Sequence, residues 1–114
     1  MQIVLTKKFE KEFKKLNKIY VSLEKDFDLF LEFVKENPTG DGSKHWLTVK
    51  EENQKCIMKK RMMCRAVKGS SFRVIYFYDG AKIELEFIEI YFKGKKTNHN
   101  QKQIEEIWKD KLIN

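Results

Sequence analysis

The sequence predicts an α+β fold in which an N-terminal helical hairpin packs on a small antiparallel β-sheet of three to four strands, followed by a C-terminal helix. Three features carry that expectation. Apolar residues recur at helical spacing up to about residue 34, the period drops to two from Lys55 onward, and Asp79-Gly80 joins two strongly β-prone runs. At 114 residues the chain is sized for one domain, 1–114.

The elements follow in order. Residues 1–5 can form a short strand. Phe9, Phe13 and Leu16 then repeat at helical spacing, with Lys7, Lys8, Lys11, Lys14, Lys15 and Lys18 on the opposite face. Ser22 is a candidate cap for a second helix whose stripe is Leu23, Phe27, Phe30, Leu31 and Val34, and Asn37-Pro38-Thr39-Gly40-Asp41-Gly42 stops it. Both helices read as an outer layer, and the fold is expected to carry its helices over one face of the sheet, leaving the other open. In residues 56–67, Met58, Met62, Cys64 and Ala66 fall on one strand face, while Lys59, Arg61, Met63 and Arg65 fall on the other. Lys68 to Ser71 is a turn, and Phe72 to Tyr78 is a strand. After Asp79-Gly80 the chain returns through residues 82–93, where the apolar parity switches from Ile83, Leu85 and Phe87 to Ile88, Ile90 and Phe92. A β-bulge near Phe87-Ile88 reconciles the two halves. Ile104, Ile107, Trp108 and Leu112 mark the last helix, with Asn98 or Asn100 as its cap. Trp46 reads as a core anchor, and His45 carries no signal.

The formal charge is +7, and it is unevenly placed. Residues 1–42 are neutral, with eight lysines against eight acids, and residues 81–114 carry an excess of one. The middle of the chain holds the rest: seven bases and no acid lie between Lys55 and Arg73, including every arginine (Arg61, Arg65, Arg73). A second acid-free stretch runs from Lys93 to Lys102. Concentrated positive charge points to an anionic partner. No apolar run approaches the ~20 residues of a membrane span, and the N-terminal apolar run is too short for a signal-peptide core, so a cytoplasmic protein is expected. Cys56 and Cys64, about 26 Å apart in an extended segment, read as core-filling thiols without a disulfide or zinc pattern. No cofactor or metal is expected.

Strand parity lets Lys59, Arg61, Arg65, Arg73, Glu89, Tyr91 and Lys93 share the sheet face away from the helices. Guanidinium forks and ammonium groups there suit a phosphodiester backbone, and aromatics suit an unpaired base. Other readings of the same residues stand beside this one. Lys59, Lys60 and Arg61 can protect an exposed strand from edge pairing. Glu89 can simply neutralise Arg73, and Tyr91 can be a packing residue. His99 has the look of an ordinary loop histidine.

The order of these segments resembles the RelE/ParE toxin superfamily of type II toxin–antitoxin systems. The resemblance rests on a Lys-rich helical hairpin, a basic strand, the run Gly69-Ser70-Ser71-Phe72-Arg73-Val74-Ile75-Tyr76, and the closing Phe87-Ile88-Glu89-Ile90-Tyr91-Phe92-Lys93-Gly94-Lys95-Lys96. It implies a RelE-like toxin that cuts mRNA on the ribosome without a metal and inhibits translation. In that reaction the ribose 2′-OH attacks the adjacent phosphate. The implied partners are the ribosome, mRNA and a cognate acidic or DNA-binding antitoxin. Carried over position by position, Arg73 matches the phosphate-binding arginine and Lys93 the basic residue ending the last strand. Glu89 and His99 are the implied proton-transfer candidates. Lys59, Arg61, Arg65, Lys68, Tyr91, Lys95 and Lys96 are the implied RNA contacts. Phe92 stands where a His or Arg often precedes the final basic residue, and no terminal tyrosine is evident. Two alternatives therefore stay open: a ParE-like DNA gyrase inhibitor, and a non-catalytic nucleic-acid or antitoxin-binding module.

Overall fold

A computed structural model describes residues 1–67, 72–96 and 98–113. The chain runs β1 (Gln2–Leu5), α1 (Lys7–Ile19), α2 (Leu23–Glu36), β2 (Trp46–Glu52), β3 (Lys55–Met62), β4 (Phe72–Asp79), β5 (Glu84–Phe92) and α3 (Gln101–Ile113). The strands form one sheet in the order β1-β5-β4-β3-β2. Four of them make an antiparallel meander, and β1 joins the far edge parallel to β5. The fold is α+β, as the sequence predicts, with five strands in place of three to four.

The added strand is β2. It pairs with β3 through a turn at Asn53-Gln54, where Asn53 takes a left-handed φ of 56°. Its register slips at Val49, between the pairs Thr48↔Met58 and Lys50↔Ile57. The break at Val49 and the exposure of Leu47, Thr48, Glu51 and Glu52 remove the alternation by which a strand is read. The bulge expected in the last strand is present: Ile75 pairs with Glu89 and Tyr76 with Phe87, so Ile88 is the extra residue.

The helices do not all lie on one face. α1 and α2 cover one side, burying Phe9, Leu23, Phe27, Phe30 and Val34 against Met58, Met62, Val74, Tyr76, Leu85, Phe87 and Ile90. Phe87 sits 5.6 Å from the Phe9 ring and 5.3 Å from the Phe27 ring in this layer. Cys56 and Cys64 fill the same core. α3 crosses the opposite face and buries Ile104 and Trp108 on Ile57, Ile75, Phe77 and Ile88. Ion pairs Lys50–Glu105 (2.7 Å) and Lys111–Glu86 (2.8 Å) hold α3 to β2 and β5. Only the part of this second face beyond α3 is left for a site.

Two local devices differ from the sequence reading. Ser22 precedes α2 but makes no capping bond to it; its hydroxyl donates to Asp26 and accepts the Ala66 N–H. At the β4–β5 turn the left-handed residue is Ile83 (φ 53°), while buried Asp79 accepts the Ala81 and Lys82 N–H groups. Asn100 does cap α3, through its side chain to the Gln103 N–H at 3.1 Å. Among the described residues no helix is long and apolar enough to cross a membrane.

Candidate functional site

The antiparallel register decides which basic side chains meet. Arg61 of β3 lies directly opposite Arg73 of β4, and Arg73 directly opposite Tyr91 of β5. Residues paired across strands share a face, so these three form a row on the α3 side, past the end of that helix. Lys59, two residues from Arg61, lies on the same face. Lys60 points to the other side, with its Nζ 3.9 Å from the Trp46 ring centroid. At the β5 end, Lys93 follows Phe92 in a turn closed by the Lys95 and Lys96 N–H groups on the Phe92 carbonyl. Lys59, Arg61, Arg73 and Lys93, together with Lys44, His45, Trp46 and Leu47, line an open basin of about 430 Å³.

Like charges meet in the basin. Like charges directly opposite on paired strands are destabilising. Burial and then Arg73 push the Lys59 ammonium below the usual lysine range, with Glu89 opposing. Burial and Arg61 act in the same direction on Arg73, whose guanidinium donates to the Phe72 carbonyl at 3.1 Å. No carboxylate is among the described residues lining the basin. An anion laid across Arg61 and Arg73 relieves their repulsion and accepts two guanidinium forks.

The remaining sequence candidates are placed elsewhere or already engaged. Glu89 is fully buried, with one oxygen 2.6 Å from Lys96 Nζ and the other accepting the Asn100 N–H at 3.1 Å. Its cationic partner is thus Lys96, where the sequence suggested Arg73, and together the two anchor the segment leading into α3. Tyr91 is 4% exposed, with Lys59 and Lys96 over its ring and a buried hydroxyl that has no hydrogen-bond partner among the described residues. That ring packs and does not present a stacking face. Burial and Glu89 push its phenol up, against Arg73 and Lys96. His99 meets Gln101 at 2.6 Å in the segment entering α3 and does not line the basin. Lys95 is exposed in the turn beside Lys93. Lys68 lies outside the described residues.

Arg65 departs most from the sequence reading. The strand ends at Met62, so parity does not carry to residue 65. The Arg65 backbone N–H and Nε both donate to Asp26 of α2, each at 2.9 Å, which turns Arg65 toward the helical layer. Conversely, Lys44 and His45 line the basin although nothing in composition singled them out. The signal that would have found them is the β2–β3 pairing, because the His45 carbonyl accepts the Arg61 N–H at 2.9 Å. Gly40, at φ +85° and close against Trp46, shapes the loop that delivers them. Among the described residues no group of three or more His, Cys, Asp and Glu side chains is arranged to hold a metal.

A helical hairpin on one face of this sheet, with a third helix on part of the other, is a RelE-like fold. A solved structure of the archaeal RelE–RelB complex from Pyrococcus horikoshii OT3 is similar to it, with a TM-score of 0.60 over 83% of this chain and 97% of the other. Sequence identity is 14%, so the likeness is one of fold. No family model and no curated protein matches the chain.

Proposed function

We propose that the chain is the toxin of a type II toxin–antitoxin system, an endoribonuclease that cuts mRNA on the ribosome by metal-independent attack of a ribose 2′-OH on the adjacent phosphate. The observation that carries this reading is the Arg61↔Arg73 pair, set with Lys59 and Lys93 in a basin whose described lining residues include no carboxylate. The RelE-like fold and the naming of RelE with RelB in the similar structure support a cognate antitoxin as partner.

In this mechanism Arg73 and Arg61 grip the non-bridging oxygens of the scissile phosphate. Their charge matters most as those oxygens gain charge in the five-coordinate transition state, where preorganised donors contribute most. Lys59 adds to the same field. Lys93, at the basin's edge, meets the 5′-oxygen as its bond to phosphorus breaks. Lys95 extends the positive surface along the message, and Glu89–Lys96 fixes the wall that carries Lys93 and Tyr91.

Inducible expression followed by primer extension on cellular mRNA tests the proposal. The expected result is growth arrest with new 5′ ends inside coding sequence, both lost in Arg73→Ala. Arrest with intact transcripts and a DNA-damage response would instead mark a gyrase inhibitor. Normal growth with intact transcripts would leave a binding module.

A further inference from the structure

We propose that His45 is the catalytic proton acceptor of the basin, taking the proton of the attacking 2′-OH. The inference rests on the cleavage reading above and adds a residue to it. A reaction that begins at a hydroxyl needs a group able to accept a proton near neutral pH. Among the described residues, the charged and titratable groups facing the basin are Lys44 from the loop, Lys59 and Arg61 from β3, Arg73 from β4, Lys93 after β5, and His45 itself. Arginine and lysine are ordinarily protonated at that pH; burial and Arg73 lower Lys59, but Glu89 favours its charged form, and the imidazole is the side chain whose neutral form is ordinarily available there. The carboxylate closest in chemistry, Glu89, has both oxygens engaged inside the protein, and Tyr91 keeps its hydroxyl buried. His99 is paired with Gln101 outside the basin.

Position supports the same assignment. One residue beyond the Trp46↔Lys60 pair, His45 stands opposite Arg61, its carbonyl bonded to the Arg61 N–H and its own N–H directed to Ser43 Oγ at 3.4 Å. His45, just before β2, therefore extends by one place the row that Arg61, Arg73 and Tyr91 form across β3, β4 and β5. At a strand spacing of about 4.8 Å, His45 and Arg73 flank a space roughly 10 Å wide, with Arg61 between them. That width accommodates a phosphate held by the arginines with its ribose toward the β2 edge. The 2′-oxygen bonds to phosphorus as its proton passes to the imidazole. The bond from phosphorus to the 5′-oxygen breaks, and that oxygen takes a proton from the Lys93 ammonium. Products are a 2′,3′-cyclic phosphate and a 5′-hydroxyl. Exchange with water then restores imidazole and ammonium.

The test is single-turnover cleavage of a defined mRNA on programmed ribosomes by the full chain, followed from pH 5.5 to 8.5. His45→Gln and His45→Ala should slow cleavage roughly 100-fold or more while leaving the ribosome concentration at half-maximal rate unchanged. The pH dependence of the wild-type rate should disappear in both variants, and added imidazole should restore part of the His45→Ala rate. The side chain is exposed, so the unfolding midpoint should not move. Wild-type rate and pH profile in His45→Gln overturn the assignment and leave the cleavage reading standing. A slow variant that keeps the wild-type pH profile assigns His45 to positioning, which also overturns it. Absence of cleavage by the folded wild-type chain removes the reaction and this role together.

Discussion

Arg65 and Arg73 belong to the same acid-free stretch, yet their surroundings give them opposite work. Arg73 faces like charge across a strand pair, whereas Arg65 closes a polar knot on Asp26 that also takes the Ser22 hydroxyl. Burial pushes the Asp26 carboxyl up, but the hydrogen bonds from the Arg65 backbone, Ser22 and the Arg65 side chain outweigh it and hold the group below the usual carboxylate range. A carboxyl lowered in the folded state stabilises above its unfolded value of about 3.9, and that stability is lost as pH falls through the folded value. Asp26→Asn should therefore cost about 2 kcal/mol at pH 7 and flatten the acid limb of stability below pH 4, as read by urea titration at several pH values. An unchanged acid limb would mean that the knot contributes no proton linkage. No residue pattern announces this pairing, because Asp26 and Arg65 meet only after the chain leaves β3 at Met62. Arg73 was legible because its strand is an unbroken run of aromatic and β-branched residues on either side of it.

At the scale of elements, α3 decides how much of the second face remains open. It is attached by Ile104 and Trp108 and by the ion pairs to Lys50 and Glu86. Trp108→Ala should remove about 3 kcal/mol of stability and raise dye binding to the exposed Ile57, Ile75 and Phe77 surface, measurable in parallel by urea unfolding and fluorescence. Stability within error of wild type would mean that α3 is held chiefly by its charges. Apolar periodicity alone located both N-terminal helices, the three central strands and the position of the β5 bulge. It missed β2, whose bulge at Val49 and exposed side chains erase the pattern. It also placed all helices on one face, since α3 shows only that it has an apolar stripe and not which side of the sheet receives it. Missing β2 concealed His45 and Lys44, because without that strand nothing sets them opposite Arg61.

For the whole molecule, the formal charge of +7 matters through its placement. The N-terminal helices carry exposed lysines balanced by acids, while the basin gathers lysines and arginines from the β2 loop, β3, β4 and the turn after β5. Binding of a single-stranded RNA oligonucleotide should weaken steeply with salt. Arg61→Ala and Lys93→Ala should each reduce the magnitude of the slope of log K against log salt by roughly 0.7 to 1. Lys7→Ala with Lys11→Ala, on the outer face of α1, should leave that slope unchanged; equal losses from both sets would indicate a diffuse surface. The most direct measurement of the cutting itself uses programmed ribosomes carrying either an ordinary mRNA or one with a single 2′-deoxynucleotide at the scissile position. The wild-type chain should cut the ordinary message and leave a 5′-hydroxyl, Arg73→Ala should cut neither, and the deoxy message should stay whole. Cutting of the deoxy message at that same bond, or an ordinary message left intact by the folded wild-type chain, would contradict a 2′-OH cleavage site at this basin.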